Sequence, residues 1–194
     1  GVASDSLTAV LPPVIAKGFD PDPILAGGTS TLTFTLTNPN PSNALSGVAF
    51  SDTFPLAPAA MTVANPTGAS TSGCGVPTYA PVAGAGSVPF SGGTIAAGGT
   101  CAVSVNVTAP SIGTYSNTSG NVSHVINAAT VNGNTAADTL TVTTPHPAIG
   151  LLKQVGPTAS GSWSSFLAVA PAGNVFYRFV VENAGDVALD LTAP

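Results

Sequence analysis

Charge is the scarcest property of this 194-residue chain: only 6% of its residues are Asp, Glu, Lys or Arg, against about a quarter in an average soluble domain. Eight acids face three bases, Lys17, Lys153 and Arg178, for a net charge of -5. Three scattered bases cannot form a phosphate-binding surface, which excludes ordinary nucleic-acid recognition. No apolar run approaches the ~18 residues that span a bilayer. Residues 1–11 lack the basic start and apolar stretch of a signal peptide. Two cysteines and the separated His124 and His146 are too few for a zinc site, and no CxxC redox pair occurs. What is abundant is glycine and proline, 22 and 18 residues, which break long helices and suit short strands joined by turns. A hydrophobic content of 44% sets the chain apart from disordered Gly/Pro-rich segments. The expected fold is all-β.

Gly28–Asn38 alternates without error, with Leu32, Phe34 and Leu36 on one face and Thr31, Thr33, Thr35 and Thr37 on the other. Period two with β-branched outward residues predicts a half-buried antiparallel strand whose three apolar side chains fill the core. Asn38–Asn43, with two prolines, reads as a turn. Leu45–Phe54 is the next strand, and Met61 and Val63 mark a short one. Residues 65–100 form a long stretch of small residues with weak apolar islands at Val76–Val82 and Val88–Ile95. Cys101–Val107 restores the alternation, placing Cys101, Val103, Val105 and Val107 on one core face. Ile112–Val125 and Ala128–Val131 offer two further strands around a turn, Asn132-Gly133-Asn134 a second turn signal, and Asp138–Thr144 a last alternating strand.

With 26 residues between them, Cys74 and Cys101 are expected to form a structural disulfide. Such a bond would pin the weakest stretch to a strong strand and points to an oxidising, extracellular compartment.

Self-comparison reveals a repeat. In Gly173–Asn183, Tyr177, Phe179 and Val181 stand 145 residues after Leu32, Phe34 and Leu36. Pro13–Lys17 resembles Pro147–Lys153, and Ala3–Val10 resembles Ala136–Val142, each of the latter pair preceding a proline-bearing linker. The order predicts a last or donated strand in 1–12, a complete sandwich in 13–145 and the opening strands of another unit in 146–194. The segments Lys17-Gly-Phe, Gly28–Asn40, Leu45–Pro55, Gly98–Val107 and Gly113–Asn117 resemble the conserved-repeat Ig-like domains of bacterial surface proteins, the type known as domain of unknown function 11. That resemblance covers most of 13–144 and implies tandem β-sandwiches, a surface location and no known enzymatic activity.

No catalytic motif accompanies the fold. Gly68–Gly73 lacks the spacing of a nucleophile elbow, and Gly84-Ala-Gly86 has no following helix to cradle phosphate. His124 lies in a strand-like run and His146 in a linker, so both read as structural or exposed. Asp20 and Asp22 could offer hard oxygens to Ca²⁺, although Asp-Pro pairs read first as a solvated turn. Asn106, Asn117 and Asn121 satisfy the N-glycosylation triplet. Lys17 and Lys153 recur at matching first-strand positions. A plain ion pair or a snorkelling chain is the expectation there; the alternative is the isopeptide crosslink of some surface Ig-like domains, which requires a buried acid, and Asp52 is the candidate. The resulting expectation is a structural, non-enzymatic segment of an extracellular fibre or cell-surface protein, without cofactor, metal or nucleic acid, partnered by neighbouring copies or repeats in a linear array. Alternatives are a filament protomer joined by strand donation and an adhesin binding through the 65–100 loops.

Overall fold

A computed structural model describes residues 9–170 and 173–190; it contains fourteen strands and, among the described residues, no helix. The chain divides into two compact units at Thr144/Pro145.

In the first unit, β1 (Val14–Asp20), β3 (Thr29–Thr37) and β8 (Thr100–Thr108) form one sheet, to which the short β5 (Thr62–Val63) and β6 (Ser70–Ser72) add along β8. A second sheet orders β11 (Ala129–Asn132), β10 (Ser123–Ile126), β4 (Leu45–Thr53) and β7 (Ser87–Ile95). A third orders β2 (Ile24–Leu25), β12 (Ala137–Thr143) and β9 (Gly113–Thr118). All pairings are antiparallel except β2 with β12. This is an all-β sandwich architecture, and its inward faces meet in one core. Leu32, Phe34, Leu36, Cys101, Val103, Val105 and Val107 are all fully buried, because β3 and β8 lie side by side with Phe34 opposite Val103 and Leu32 opposite Val105.

The first and last segments of this unit run alongside each other in the same direction. Asn134 brackets the main chain of Ile15, accepting from its N–H and donating to its carbonyl, each at 2.8 Å. Asp138 accepts from the N–H of Phe19, Asp22 from that of Thr141, and Thr143 donates to the carbonyl of Ile24. Every one of these pairs is separated by 119 residues.

The two weak apolar islands of 65–100 differ in outcome: Val76–Val82 lies outside the strands, with Val76 and Val82 exposed, whereas Val88–Ile95 lies within the nine-residue β7, with Val88, Phe90 and Ile95 in the core. Two expectations, Ile112–Val125 as one strand and Asn132–Asn134 as a turn, need correction. Ile112–Val125 is two strands, because the chain leaves the β9 sheet after Thr118 and enters the β10 sheet at Ser123. The turn expected before Ala128–Val131 is a hairpin turn at Asn127 and Ala128, whose φ of 51° and 64° match the right-handed twist of the flanking strands. Asn132–Asn134 joins strands of different sheets, and the Asn134 side chain is spent on Ile15.

Residues 1–8, which hold most of the segment read as a last or donated strand, lie outside the described residues. At its end, Val10 packs against the core, and the main chain of Leu11 is held by the Asn40 side chain through bonds of 2.8 and 2.9 Å.

The second unit is an antiparallel pair, β13 (Ile149–Gly156) and β14 (Phe176–Asn183). Lys153 stands opposite Phe179 and Val155 opposite Tyr177, the register in which Lys17 stands opposite Phe34 and Phe19 opposite Leu32. Leu151, Leu152, Tyr177, Phe179 and Val181 are exposed. Two strands without a covered apolar face are marginal in water.

Candidate functional site

Among the inward positions of the first unit that carry polar side chains, three come together. In β1, Lys17 falls between the buried Ile15 and Phe19; in β4, Asp52 continues the inward series of Val48 and Phe50; in β9, Asn117 follows Tyr115. Period two therefore drives all three into the interior, one from each sheet. There they meet. Lys17 Nζ donates to Asp52 Oδ2 at 2.9 Å, and Asn117 Nδ2 donates to the same oxygen at 2.7 Å. Neither the Lys17 nor the Asp52 side chain has any exposed surface, and Asn117 is 2% exposed.

The surroundings are apolar. Lys17 Nζ lies 5.2 Å from the Phe34 ring centroid and 5.9 Å from that of Phe19. Burial pushes the Lys17 ammonium below its ordinary range, and the charges of Asp52 and Asp138 offset that in part. Asp52 Oδ1 and Asn117 Oδ1 have no hydrogen-bond partner among the described residues. Nearby, the Tyr79 hydroxyl donates to the Ser104 carbonyl, and burial, with the charge of Asp52, pushes its phenol well up. The chemistry at hand is an amine, a carboxyl and a carboxamide in a dry cluster. Lys17 was expected to make an ion pair or to snorkel; it pairs with Asp52. The part played by Asn117 was not anticipated, although its phase with Tyr115 was readable.

Cys74 and Cys101 are joined by a disulfide, which fits an oxidising environment. The approach depends on Gly73, with φ of 73°, where a Cβ would stand 2.3 Å from the Thr100 carbonyl oxygen. No side chain fits there.

The remaining candidates disperse. Asp22 is engaged by Thr141, and no group of three or more metal-ligating residues occurs among the described residues. Asn117 is sequestered in the cluster, so the folded domain cannot present it for glycosylation. His146 lies in the second unit, where its N–H donates to Asp186 at 2.6 Å and holds that carboxyl below its ordinary range.

His124 is buried on β10, its Nε2 without a partner among the described residues. Burial lowers its pKa, whereas an unfolded His titrates near ~6.5. The unfolded chain thus binds more protons as pH falls, and stability drops below about pH 6.5, by at most about 1.4 kcal/mol per pH unit. Denaturant midpoints from about pH 7.5 to 5.5, above the carboxylate range, should show this slope, and His124→Gln should flatten it. An unchanged slope in the variant would assign it elsewhere.

A protein-family model, a domain of unknown function, matches residues 13–142. The chain belongs to the DUF7933 family. No curated protein matches it. The DUF7933 span opens one residue before β1 and closes within β12. It thus contains the three-sheet cluster, the disulfide and, apart from the Thr143–Ile24 bond, the bonds described between the first and last segments. The β13–β14 pair falls outside the DUF7933 match.

Proposed function

We propose that this chain is a structural, non-enzymatic segment of an extracellular fibre or bacterial cell-surface protein, built from copies of one Ig-like sandwich in series. The carrying observation is the shared register: the first two long strands of each unit pair with a lysine opposite a phenylalanine, Lys17 with Phe34 and Lys153 with Phe179. The ammonium also lies over aromatic rings in both, Lys153 Nζ being 4.6 Å from the Tyr177 centroid and 5.7 Å from that of Phe179. On this reading 145–194 is the beginning of a second copy, and its exposed apolar residues are the inner face that further strands cover. The scarcity of charge, the disulfide and the proline-bearing connection at Pro145–Pro147 fit an extracellular array of linked modules.

Electron micrographs of the native protein from its source organism, labelled with an antibody to residues 13–144, test this reading. Rows of beads or a continuous filament carrying the label are expected. A dispersed, unassembled particle would overturn it.

A further inference from the structure

Left as it stands, the cluster of Lys17, Asp52 and Asn117 is an expensive arrangement. A buried ion pair recovers its desolvation only when the remaining polar atoms are satisfied. Here the second carboxylate oxygen and the carboxamide oxygen are unpaired among the described residues. A single salt link between sheets would need neither the amide nor its burial. The same geometry makes sense as a reactant complex. The amine and the carboxamide nitrogen share one acceptor, Asp52 Oδ2, so they cannot be further apart than those two bonds laid end to end.

We propose that Lys17 and Asn117 condense to an intramolecular isopeptide bond, with Asp52 as the acid–base residue. Asp52 Oδ2 first takes a proton from the Lys17 ammonium, leaving a neutral amine and a neutral acid. The dry surroundings of Phe19 and Phe34 favour this exchange of an ion pair for an uncharged one, as does the lowered Lys17 pKa. The Nζ lone pair then attacks Asn117 Cγ while the protonated Asp52 polarises the carboxamide. Asp52 relays a proton from Nζ to Nδ2, the Cγ–Nδ2 bond breaks, and ammonia leaves. One C–N bond is made, one is broken, and nothing is oxidised or reduced. No co-reactant is required. An amide is poorly electrophilic in water, but fixed juxtaposition in a folded core supplies effective molarities on the order of 10⁵–10⁸ M. The product is an uncharged amide that removes the buried ammonium altogether. This goes beyond the structural role proposed above and does not depend on it, because the bond lies within one domain.

Lys153 has no matching set among the described residues of its own unit. It lies over Tyr177 and Phe179 in an exposed strand pair, so the reaction is expected in the first unit alone.

The test is the intact mass of the purified, folded full chain after reduction and denaturation, followed by fragment mapping. The expected result is a mass lower than that of the sequence by one ammonia, with a branched fragment joining the Lys17 and Asn117 peptides. A full, unreduced mass would overturn the proposal. So would loss of water with a Lys17–Asp52 link, or loss of ammonia confined to the Asn117 peptide, which marks cyclisation of Asn117 on its own backbone. Asp52→Asn, which keeps the side-chain volume, should abolish the ammonia loss in protein that still forms the Cys74–Cys101 disulfide. Persistence of the crosslink in that variant would remove Asp52 from the mechanism. If the variant fails to fold, the wild-type mass decides without it.

Discussion

Phe34→Ala is expected to lower the unfolding free energy of the first unit by about 3–5 kcal/mol. A domain of this kind has only ~5–15 kcal/mol to lose. Phe34 has no exposed surface, and its ring centroid lies 4.7 Å from that of Phe50, which in turn stacks at 5.4 Å on Phe90. The substitution therefore opens a cavity at the head of a row of aromatic rings contributed by β3, β4 and β7. It also removes a ring that faces the Lys17 ammonium. Thr35, the next residue of the strand, is exposed, and Thr35→Ala should cost under about 1 kcal/mol. Chemical denaturation of both variants measures the contrast. Equal losses would mean that Phe34 does not occupy the core position described here.

The second large effect is expected from the paired substitution Cys74→Ala and Cys101→Ala. The bond spans 27 residues of sequence, and releasing a loop of that length costs about 3–4 kcal/mol in the chain-entropy account. Alanine at both sites avoids burying a lone hydroxyl or thiol. The loop has other attachments: β6 pairs with β8, and Thr78 bridges Ser91. Those determine how local the damage is. Hydrogen exchange should rise in residues 70–86 well before it rises in β3. A loss below about 1 kcal/mol would show that these pairings already hold the loop in the reduced state.

Much of the fold was legible because strands announce themselves by phase. The alternation of Leu32, Phe34 and Leu36 with threonines, and of Cys101 with three valines, specifies both strand and face. The same rule fails over β7. Phe90 and Ile95 are both buried although five positions apart, because the pairing with β4 shifts register around Ser91–Gly93, where Gly92 has φ of 71°. A bulge inserts a residue and inverts the alternation beyond it, so the strand reads as a weak apolar island. The polar cluster was half legible. Lys17 stands in phase with Ile15 and Phe19, and a buried acid at Asp52 could be named. The amide could not, since the Asp52–Asn117 contact spans 65 residues and two sheets, which no local pattern encodes.

The parallel run of the first and last segments determines how this domain would meet tension applied through its ends. The bonds from Ile15 to Asn134, Phe19 to Asp138, Asp22 to Thr141 and Ile24 to Thr143 keep one constant separation, so pulling on residue 13 and residue 144 slides one segment lengthwise past the other. Such a geometry is shear: the rungs share the force and must fail together, whereas rungs at the mouth of a hairpin open one after another. The weak point under stretching is then neither the β3–β8 core nor the disulfide loop, both of which lie behind this clamp. It is the seam itself, the short parallel pairing of β2 with β12 together with the row of side-chain-to-backbone bonds made by Asn134, Asp138, Asp22 and Thr143, four surface-seam residues that contribute little to the apolar core and yet help set the force at which the domain begins to extend.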